Sequence, residues 1–431
     1  MQLKSLIRSI IPKSVLNVYH LCRAVLAASL AGFPGRKLRI FGVTGTNGKT
    51  TTALFLHSIL TERRLKTGLM STVRFSDGIK MWRNDLKMGT LDSFKLQFLL
   101  RKMIGRGATE AIIEVTSHGL VQERVWGIPF DTVIFTNLTV DHLDYHPTKA
   151  SYRGAKERLF ARPHRVSVVN GDDPAAAEFL KYPAVRRLTY SLKNSTDVWA
   201  SDIRDRQLKT HFVLHAGNEA LSINLNLLGR FNVENALAAA AAALGANIDL
   251  ETIKQGLERL QTSPGRMEFL NHGQSYQIIL DYAHTPDGLK KVFETVRSDI
   301  KGRLIHVGGA TGDRYKEKRP LLGALAGRYA DIVIVTDEDP GSEDPAAIIQ
   351  AVVSGVQKGA GRAKYFEHDR NFFTILRRDE AIRKALNLAR VDDVVLITGK
   401  GDEEVMAVKS GHIPFSDRKV VEQALASRET R

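Results

Sequence analysis

The stretch Gly42–Thr51 reads GVTGTNGKTT, follows a short apolar run and precedes the apolar-rich segment TALFLHSIL. An apolar run, a glycine-rich turn and a helix-forming segment in this order predict a strand, a phosphate-binding loop and a helix. Backbone N–H groups of such a turn converge on anionic oxygens, Lys49 adds a full positive charge, and the Thr50 hydroxyl is a ligand for Mg²⁺. The strict pattern wants glycine where this chain has Val43, so the loop is a variant. It predicts a nucleoside triphosphate site and leaves kinases, ATPases, GTPases and ligases open.

Length and composition indicate a globular protein of more than one domain. The chain has 431 residues, of which 43% are hydrophobic and 25% charged, and roughly 150 residues per domain suggests two or three domains. The single cysteine, Cys22, excludes an internal disulfide or a thiolate metal cluster and fits a reducing compartment. No apolar run reaches the ~18 residues that span a bilayer. We therefore expect a cytoplasmic protein.

The formal net charge of +15 is spread along the chain except in one segment. Residues 1–40 contain seven basic and no acidic residues, interleaved with leucine, isoleucine and valine. This pattern predicts one or two basic amphipathic helices in a segment that we bound at 1–37, either in peripheral contact with a membrane or packed on the body with solvated basic faces. We expect no nucleic acid partner, because no basic patch interleaved with aromatic residues occurs elsewhere.

The order of the apolar runs predicts an α/β fold. Strands are expected at 38–43, 111–115, 132–136 and 166–169, with helical patterns between several of them, so the sheet should be mainly parallel. A polar, strand-like stretch at about 190–230 and an alanine-rich helix at 235–246 follow. A second series of runs, each followed by a polar cluster, begins after Ser263-Pro264-Gly265 and lies at 277–280, 303–307, 331–335 and 393–397. We therefore predict a P-loop central domain, 38–262, and a Rossmann-like C-terminal domain, 263–431.

Two polar residues follow predicted strands beside the phosphate loop. Glu114 ends the run AIIEV, and His142 lies in NLTVDHLDYH after the run TVIFT. In a parallel sheet both positions belong to the edge that carries the phosphate loop, where a carboxylate and an imidazole are candidate contacts for Mg²⁺ or substrate. Taken singly, each residue has an ordinary structural alternative.

Nine motifs in sequence order resemble those of the Mur ligases, most closely the UDP-N-acetylmuramoyl-dipeptide ligases that add the third residue of the peptidoglycan stem peptide. They span residues 38–410 and read GVTGTNGKTT, EVTSHGL, FTNLTVDHLDYH, SYRGAKERLF, LLGRFNVENALAA, SPGRMEFL, DYAHTPDGL, GDRYKEKRPLLG and TGKGDE. The resemblance implies an ATP-dependent amide-forming ligase that uses two Mg²⁺ ions. It also implies that Lys156 corresponds to the lysine that is N6-carboxylated in this family.

The resemblance assigns further site residues. The catalytic set is Lys49, Glu114, His142, Lys156 and Arg266, with Thr50, Glu114, His142 and Lys156 serving the metal sites. The nucleotide-binding set comprises Gly45, Thr46, Asn47, Gly48, Lys49, Thr50, Thr51, Asn232, Asn235, Arg266 and Asp281, and His284 lies in the same motif as Asp281. Contacts to a UDP-sugar dipeptide are implied for Thr90, Ser117 and Arg124. Without the family, Thr90 has an ordinary role as the start of the helix LDSFKLQFLLRKM.

The chemistry of such a ligase sets further expectations. A carboxylate must be activated by transfer of the γ-phosphoryl group of ATP, giving an acyl phosphate that the amine of the incoming amino acid attacks. Acyl phosphates hydrolyse, so we expect two domains to close over the site and the stretch 262–265 to act as a hinge.

The chain departs from the family pattern in two places. Family members carry a separate N-terminal domain that holds the uridine diphosphate, whereas fewer than 40 residues precede the first predicted core strand here. Ligases specific for meso-diaminopimelate carry a D-N-P-R motif whose arginine binds the distal carboxylate, and the aligned residues here are Glu338-Asp339-Pro340-Gly341. Two acids suit an ammonium group instead, so we expect L-lysine or a similar diamine such as ornithine, with Arg319 and Glu403 holding its backbone end. The alternative is that Glu338 and Asp339 line a solvated turn.

Two other interpretations remain open at the level of sequence. A folylpolyglutamate synthase or a cyanophycin-type ligase would share the architecture and join a different amino acid to a different acid. A regulatory or nucleic-acid-stimulated NTPase would share the phosphate loop. The motifs EVTSHGL and DHLDYH favour the stem-peptide enzyme of peptidoglycan synthesis over the other ligases.

Overall fold

A computed structural model describes residues 12–86, 88–206, 208–298, 300–361 and 364–429. The described chain divides into two compact units. The first contains residues 12–139 and 146–261, and the second contains 262–429 together with the short stretch 140–145. The phosphate loop lies in the first unit.

The first unit is built on one eleven-stranded sheet with the strand order β11-β10-β9-β8-β7-β6-β1-β5-β2-β3-β4. The strands from β9 to β2 in this order run parallel, and antiparallel strands extend the sheet at both ends. Their bounds are β1 Arg39–Thr44, β2 Thr67–Met70, β3 Arg74–Asp77, β4 Met81–Arg83, β5 Glu110–Glu114, β6 Thr132–Phe135, β7 Val166–Asn170, β8 Arg186–Ser191, β9 Val198–Arg206, β10 Lys209–Ala216 and β11 Glu219–Leu225.

Helices cover both faces of this sheet, as buried parallel strands require. They are α1 Lys13–Ala31, α2 Lys49–Glu62, α3 Ser93–Gly105, α4 Ser117–Val121, α5 Lys149–Phe160, α6 Ala176–Leu180, α7 Arg230–Gly245 and α8 Leu250–Arg259, and a short 3₁₀ helix spans Pro34–Lys37. The alanine-rich α7 is buried along most of its length and packs against α2. Helix α8 packs on α2 as well, where the Ser58 hydroxyl donates to the Gly256 carbonyl at 2.6 Å. These contacts fix the helix that follows the phosphate loop.

The second unit contains a six-stranded sheet in the order β12-β13-β17-β14-β15-β16, in which only β12 is antiparallel to its neighbour. Its strands are β12 Glu268–Leu270, β13 Gln277–Asp281, β14 Leu304–Gly308, β15 Ile332–Thr336, β16 Phe372–Ile375 and β17 Val394–Thr398, followed by a hairpin of β18 Val405–Val408 and β19 Gly411–Pro414. Its helices are α9 Pro286–Arg297, α10 Lys318–Tyr329, α11 Pro345–Ala360, α12 Arg378–Leu388 and α13 Asp417–Glu429.

The predicted α/β class with mainly parallel sheets is confirmed. The polar stretch near 190–230 contains the end of β8 and the strands β9, β10 and β11, and the antiparallel pairs β9–β10 and β10–β11 extend the first sheet at this end. Of the amphipathic segment predicted at 1–37, the described part forms α1 and the 3₁₀ helix, and residues 1–11 lie outside the described residues. Among the described helices, none combines the length and the hydropathy needed to cross a bilayer.

Candidate active site

The phosphate loop joins β1 to α2 and needs its glycines. Gly45 has φ 149° and Gly48 has φ 84°, values that a residue with a Cβ rarely adopts. A Cβ at Gly45 would collide with the Thr136 hydroxyl, and one at Gly48 would collide with the Asn235 amide. The loop is held from outside by Asn137, whose carboxamide oxygen accepts from the Asn47 N–H at 2.9 Å. The turn is therefore preorganised, with the amide-rich start of α2 facing the loop.

Two lysines donate to carbonyl oxygens of this loop. Lys49 Nζ lies 2.8 Å from the carbonyl oxygen of Thr46 and 3.2 Å from that of Gly45. Lys156, from α5, reaches the same Gly45 carbonyl with its Nζ at 2.6 Å. Two ammonium groups thus meet at one loop carbonyl, which is an arrangement suited to a polyanionic ligand.

Lys156 is buried, with 1% of its surface exposed. Its ammonium nitrogen lies 4.3 Å from the centre of the Tyr152 ring, one turn earlier on α5. The Tyr152 hydroxyl donates to the Thr46 hydroxyl at 3.3 Å, which ties α5 to the loop. Lys156 is therefore not a solvated helix lysine, because its side chain points into the loop.

Glu114 and Thr50 form a direct pair of oxygen-bearing side chains. The Thr50 hydroxyl donates to Glu114 Oε2 at 3.0 Å, and both residues are buried. The same carboxylate oxygen accepts from the Thr72 backbone N–H at 2.9 Å. The parallel pairing of β1 with β5 explains this contact, since Val43 and Glu114 are register partners and the two strands end side by side.

Thr90 lies beside the end of β5 and does not start the following helix. Its hydroxyl donates to the Glu114 carbonyl at 2.9 Å and accepts from the Thr116 N–H at 2.8 Å. Helix α3 begins later, at Ser93, and its cap is Asp92, whose side chain accepts from the Lys95 N–H. The ordinary helix-start role considered for Thr90 is therefore wrong. Arg124 joins this cluster by donating from Nη1 to the Thr90 carbonyl at 2.6 Å.

Ser117 begins α4 and is paired with a buried histidine. Its Oγ lies 3.0 Å from Nε2 of His146, and both residues are buried. The His146 ring packs against the rings of His118 and Tyr152 at centroid distances of 5.8 and 5.2 Å. Ser117 and Lys156 are thus linked through a short aromatic layer.

The two asparagines of α7 lie at the other side of the loop. Asn235 Nδ2 donates to Asn232 Oδ1 at 3.3 Å, and Asn232 Nδ2 donates to the Leu228 carbonyl at 2.8 Å. Both are buried, and Asn235 faces Gly48. The first unit therefore brings together the predicted loop residues Gly45, Thr46, Asn47, Gly48, Lys49, Thr50 and Thr51 with Glu114, Lys156, Asn232, Asn235, Thr90, Ser117 and Arg124.

His142 belongs to the short stretch that groups with the second unit, so it lies in a different unit from Glu114. It has φ 55°, and its Nε2 lies 3.4 Å from Oδ2 of Asp141. Burial raises the pKa of Asp141, but the interactions with His142, His284 and Lys318 outweigh it and hold this pKa below its usual value. A role for His142 beside Glu114 stays a prediction.

Arg266 and Asp281 lie together in the second unit. The Arg266 guanidinium stacks 4.4 Å from the centre of the Tyr282 ring. Asp281 accepts from the backbone N–H groups of Met267 at 2.7 Å and Ala283 at 2.6 Å, and burial raises its pKa against the opposing effect of Arg266. Arg266 Nε is buried and has no hydrogen-bond acceptor among the described residues.

The side chains that we predict to contact the amino acid bind protein partners within the second unit. Both terminal nitrogens of Arg319 donate to the Glu343 carboxylate, at 3.0 and 2.8 Å. Lys400, fully buried, bridges Asp339 at 3.0 Å and Glu403 at 3.1 Å. A substrate group at Arg319, Asp339 or Glu403 would therefore share or displace these internal partners.

Glu338 and Gly341 occupy the loop after β15 in ways that the sequence did not indicate. Glu338 is 2% exposed, and burial raises its pKa to about 7. Gly341 has φ 59°, and a Cβ there would collide with the carboxylate of Asp313. The solvated-turn alternative is therefore wrong for Glu338, and an acid rather than a guanidinium lies against position 341.

Comparison with known proteins identifies the family. Residues 43–243 match the Mur ligase middle domain, and residues 265–401 match the Mur ligase glutamate ligase domain. The UDP-N-acetylmuramoyl-L-alanyl-D-glutamate--2,6-diaminopimelate ligase of Bacillus cereus is 38% identical over 413 residues, which cover 94% of this chain and 82% of that protein. The chain belongs to the Mur ligase family.

Other relatives of this Mur ligase agree with that assignment. The UDP-N-acetylmuramyl-tripeptide synthetase of a Roseiflexus species is 40% identical over 419 residues, covering 94% of this chain and 81% of that one. A solved structure of a UDP-N-acetylmuramoyl-L-alanyl-D-glutamate--2,6-diaminopimelate ligase superposes with a TM-score of 0.63 at 34% identity over 91% of this chain and 79% of that chain. A folylpolyglutamate synthase of Mycobacterium tuberculosis, at 20% identity and a TM-score of 0.72 over 92% of this chain and 95% of that chain, shares the fold. This Mur ligase is accordingly an ATP-dependent ligase that uses Mg²⁺.

The residues of this Mur ligase fit that metal and nucleotide. Mg²⁺ prefers oxygen ligands, and the paired Thr50 hydroxyl and Glu114 carboxylate offer them next to the loop lysine. No group of three or more His, Cys, Asp or Glu side chains suited to a metal occurs among the described residues.

Sequence reasoning missed several residues that shape the site. Thr72 supplies a backbone donor to Glu114, Tyr152 packs on Lys156, and His146 pairs with Ser117. His146 belongs to the quoted run DHLDYH, and Tyr152 to SYRGAK, so helical spacing from Lys156 could have indicated Tyr152. Thr72 acts through its backbone N–H, which leaves no signal in residue type.

Proposed function

We propose that this chain joins the free carboxylate of a UDP-N-acetylmuramoyl-L-alanyl-D-glutamate-type acceptor to the α-amine of a diamino acid, with hydrolysis of ATP to ADP and phosphate, in peptidoglycan precursor synthesis. The observation that carries this proposal is the arrangement at the phosphate loop, where Lys49 and Lys156 both donate to the Gly45 carbonyl and the Thr50 hydroxyl donates to Glu114 at the carboxyl end of β5. Relatives at 38% and 40% identity are named for this reaction.

The reaction proceeds in two steps. A carboxylate oxygen attacks the γ-phosphorus of ATP, and the bond between that phosphorus and the β,γ-bridging oxygen breaks. The products of this step are ADP and an acyl phosphate. The amine then attacks the acyl carbon, inorganic phosphate leaves, and the amine loses one proton to solvent or base. Lys49 neutralises charge that develops on the transferring phosphoryl group, while Thr50 and Glu114 would hold Mg²⁺. When bound, Mg²⁺ supplies charge neutralisation between the phosphates.

We assign contacts at the acceptor to Thr90, Ser117 and Arg124. The support is that all three residues lie close to the carboxyl end of β5. The Thr90 hydroxyl donates to the Glu114 carbonyl there, and Arg124 donates to the Thr90 carbonyl. Arg124 carries the positive charge that a dipeptide carboxylate requires. Ser117 is oriented by His146.

Lys156 is proposed to be N6-carboxylated in the active enzyme. Its amine lies in a buried site beside loop oxygens, where an ammonium costs more free energy than it does in water. After the ammonium loses a proton, its nitrogen lone pair forms a bond to the carbon of CO₂ and a second N–H proton goes to solvent, which leaves a carbamate with two oxygens that can serve a metal that prefers oxygen ligands. Carbon-13 NMR of the folded protein at neutral pH in labelled bicarbonate would detect the carbamate carbon, and its absence from the active enzyme contradicts this assignment.

For the amino acid we propose L-lysine or a close diamine such as ornithine. The support comes from position 341, where glycine replaces the arginine of the diaminopimelate motif and the Asp313 carboxylate lies against the backbone. The buried arginines nearby, Arg319 and Arg378, are each held by a carboxylate of the protein. An ammonium tail suits this acidic surrounding better than a second carboxylate does.

A second candidate is meso-diaminopimelate, which is favoured by the names of relatives such as the Bacillus cereus 2,6-diaminopimelate ligase. Incubation with ATP, Mg²⁺, UDP-N-acetylmuramoyl-L-Ala-D-Glu and each amino acid separates the two, with the product read by mass. Lysine or ornithine should give the larger kcat/KM. A larger value with meso-diaminopimelate contradicts the diamine assignment alone, whereas the absence of any amide product with all of them contradicts the whole proposal.

A further inference from the structure

Helix α1 presents an apolar stripe to solvent. Val15, Val18, Tyr19, Leu26 and Leu30 are each between 52% and 61% exposed, and Cys22 is exposed between them. Their spacing of three or four residues places all six on one face of the helix. Isolated exposed apolar residues are ordinary, whereas a continuous row along four helical turns indicates a binding surface.

The opposite face of α1 accounts for its attachment to the protein. Ala24, Ala27, Ala28 and Ala31 are buried, and the helix packs against α3. Small side chains on the packed face and large ones on the exposed face reverse the pattern expected of a helix that only completes a core. Packing within the first unit therefore does not explain why these large apolar side chains are exposed.

The basic residues around this stripe indicate the kind of surface that it binds. Residues 1–40 carry seven basic and no acidic residues, so they contribute seven of the fifteen net positive charges of the chain. Arg36 and Lys37 are exposed just beyond the helix, and Arg23 lies on its flank with its guanidinium 5.7 Å from the Tyr19 ring centre. A basic rim beside an apolar stripe matches a surface with negative headgroups over a hydrocarbon layer.

We propose that α1 lies in the interface of an anionic lipid bilayer, with the stripe Val15, Val18, Tyr19, Cys22, Leu26 and Leu30 inserted among the headgroups and the basic residues contacting lipid phosphates. A second copy of the chain is the competing occupant. A two-fold dimer through this stripe would bring the basic segments of both copies together, which disfavours it electrostatically. The ligase reaction does not depend on this contact, so the inference stands or falls independently of the proposed function.

Cys22 makes a direct test available, because it is the single cysteine of the chain and lies on the stripe. The full chain is labelled there with an environment-sensitive fluorophore such as nitrobenzoxadiazole and mixed with vesicles of phosphatidylcholine alone or with phosphatidylglycerol. We expect a blue shift and a rise in emission only with the anionic vesicles, reduced by added salt because the charge contacts are screened. Unchanged emission with anionic vesicles overturns the proposal, and so does an equal response to neutral ones.

A paired set of unlabelled variants tests the stripe itself. Val18→Glu combined with Leu26→Glu should lower the fraction that sediments with anionic vesicles by about tenfold or more, since charged groups replace inserted apolar ones. The matched control combines Val185→Glu with Val391→Glu, which makes the same charge change at valines that are 86% and 66% exposed elsewhere. It should sediment nearly as the wild type does.

Other results decide against the proposal. Equal loss of sedimentation in both double variants would mean that net charge, not α1, governs binding. A dimer in analytical ultracentrifugation that Val18→Glu with Leu26→Glu dissociates, together with no vesicle binding, would assign the stripe to a second copy. Melting temperatures near that of the wild type establish that each variant is folded.

Discussion

Lys156 Nζ donates a 2.6 Å hydrogen bond to the carbonyl oxygen of Gly45, so a helix lysine is buried against the phosphate loop. A carbonyl oxygen only partly compensates a buried ammonium. Such a position is costly for stability and is therefore expected where chemistry needs it. The Gly45 carbonyl also accepts from Lys49, so the two lysine side chains lie close together. Tyr152, whose ring packs on Lys156, donates its hydroxyl to the Thr46 hydroxyl.

Replacement of Lys156 by methionine should abolish most activity while the fold is kept. Methionine preserves the length of the stem and its packing on Tyr152, but it supplies neither a charge nor an oxygen. We expect kcat to fall by about 10²-fold or more, as for other groups that stabilise developing charge. Amino-acid-dependent phosphate release measures the effect. A Lys156→Met variant that keeps more than about a tenth of the wild-type rate would contradict this role.

The two threonines Thr50 and Thr52 give a matched pair on α2. The Thr50 hydroxyl donates to Glu114, whereas the Thr52 hydroxyl is buried without a hydrogen-bond partner among the described residues. Thr50→Val should therefore lower kcat by about 10²-fold through loss of an oxygen at the metal. Thr52→Val should leave kcat nearly unchanged and leave or raise the melting temperature, because it removes an unsatisfied polar group.

The Mg²⁺ dependence of these two variants sharpens the comparison. Thr50→Val should require a higher Mg²⁺ concentration for half-maximal rate, while Thr52→Val should follow the wild type. Equal Mg²⁺ requirements in both would remove Thr50 from the metal site.

Removal of one partner from the buried ion pair between Arg378 and Asp417 should strongly destabilise the second unit. Both side chains are 0% exposed, and the guanidinium contacts the carboxylate at 2.7 and 2.8 Å. Asp417→Asn leaves a buried cation without its counter-charge and should cost about 3–5 kcal/mol. The double variant Arg378→Met with Asp417→Leu should be less destabilised than Asp417→Asn, because no unpaired charge remains.

Calorimetric melting of the full chain measures both variants. Part of the loss should persist in the double variant, since Arg378 also donates to the Thr398 carbonyl at 2.8 Å. A double variant that melts below Asp417→Asn would show that the hydrogen bonds of Arg378, rather than its charge pairing, carry the stabilisation.

Residue order was enough to predict the α/β fold, because apolar runs and glycine-rich turns are local signals. The strand and helix around Gly42–Thr51 follow from adjacent residues, and the observed β1, Arg39–Thr44, differs from the expected 38–43 by one residue at each end. Parallel order then indicated that Glu114 belongs beside the loop. Glu114 contacts Thr50 of the loop because β1 and β5 pair in parallel and end side by side.

Interactions between distant residues could not be predicted in this way. The pairing of Arg319 with Glu343 and the bridge from Lys400 to Asp339 and Glu403 depend on how loops of the second unit meet, and side-chain type does not specify a partner. Charge pattern alone suggested that Glu338 and Asp339 act alike. Their environments differ, since Asp339 has a lysine partner and Glu338 is buried with a raised pKa.

Glu338 should make the stability of the chain depend on pH. Burial, the largest cause, raises its pKa from 4.5 to about 7 although Arg378, Lys318 and Lys400 oppose the shift, and Asp339 adds to it. Because the folded state binds the proton more tightly than the unfolded state does, this carboxyl destabilises the fold as pH rises from 4.5 through 7. Below pH 4.5 the group is protonated in both states, and the penalty disappears.

Glu338→Gln replaces the carboxyl by a neutral group of the same shape and removes this dependence. The variant should gain up to about 3 kcal/mol over the wild type at alkaline pH, and far less below the ordinary glutamate pKa. Calorimetry of both proteins at several pH values gives the difference in melting temperature, in which the titration of other groups cancels. That difference should widen as pH rises through the folded-state pKa. A difference that is constant with pH would mean that the pKa of Glu338 is the same in the folded and unfolded chains, which contradicts the raised pKa.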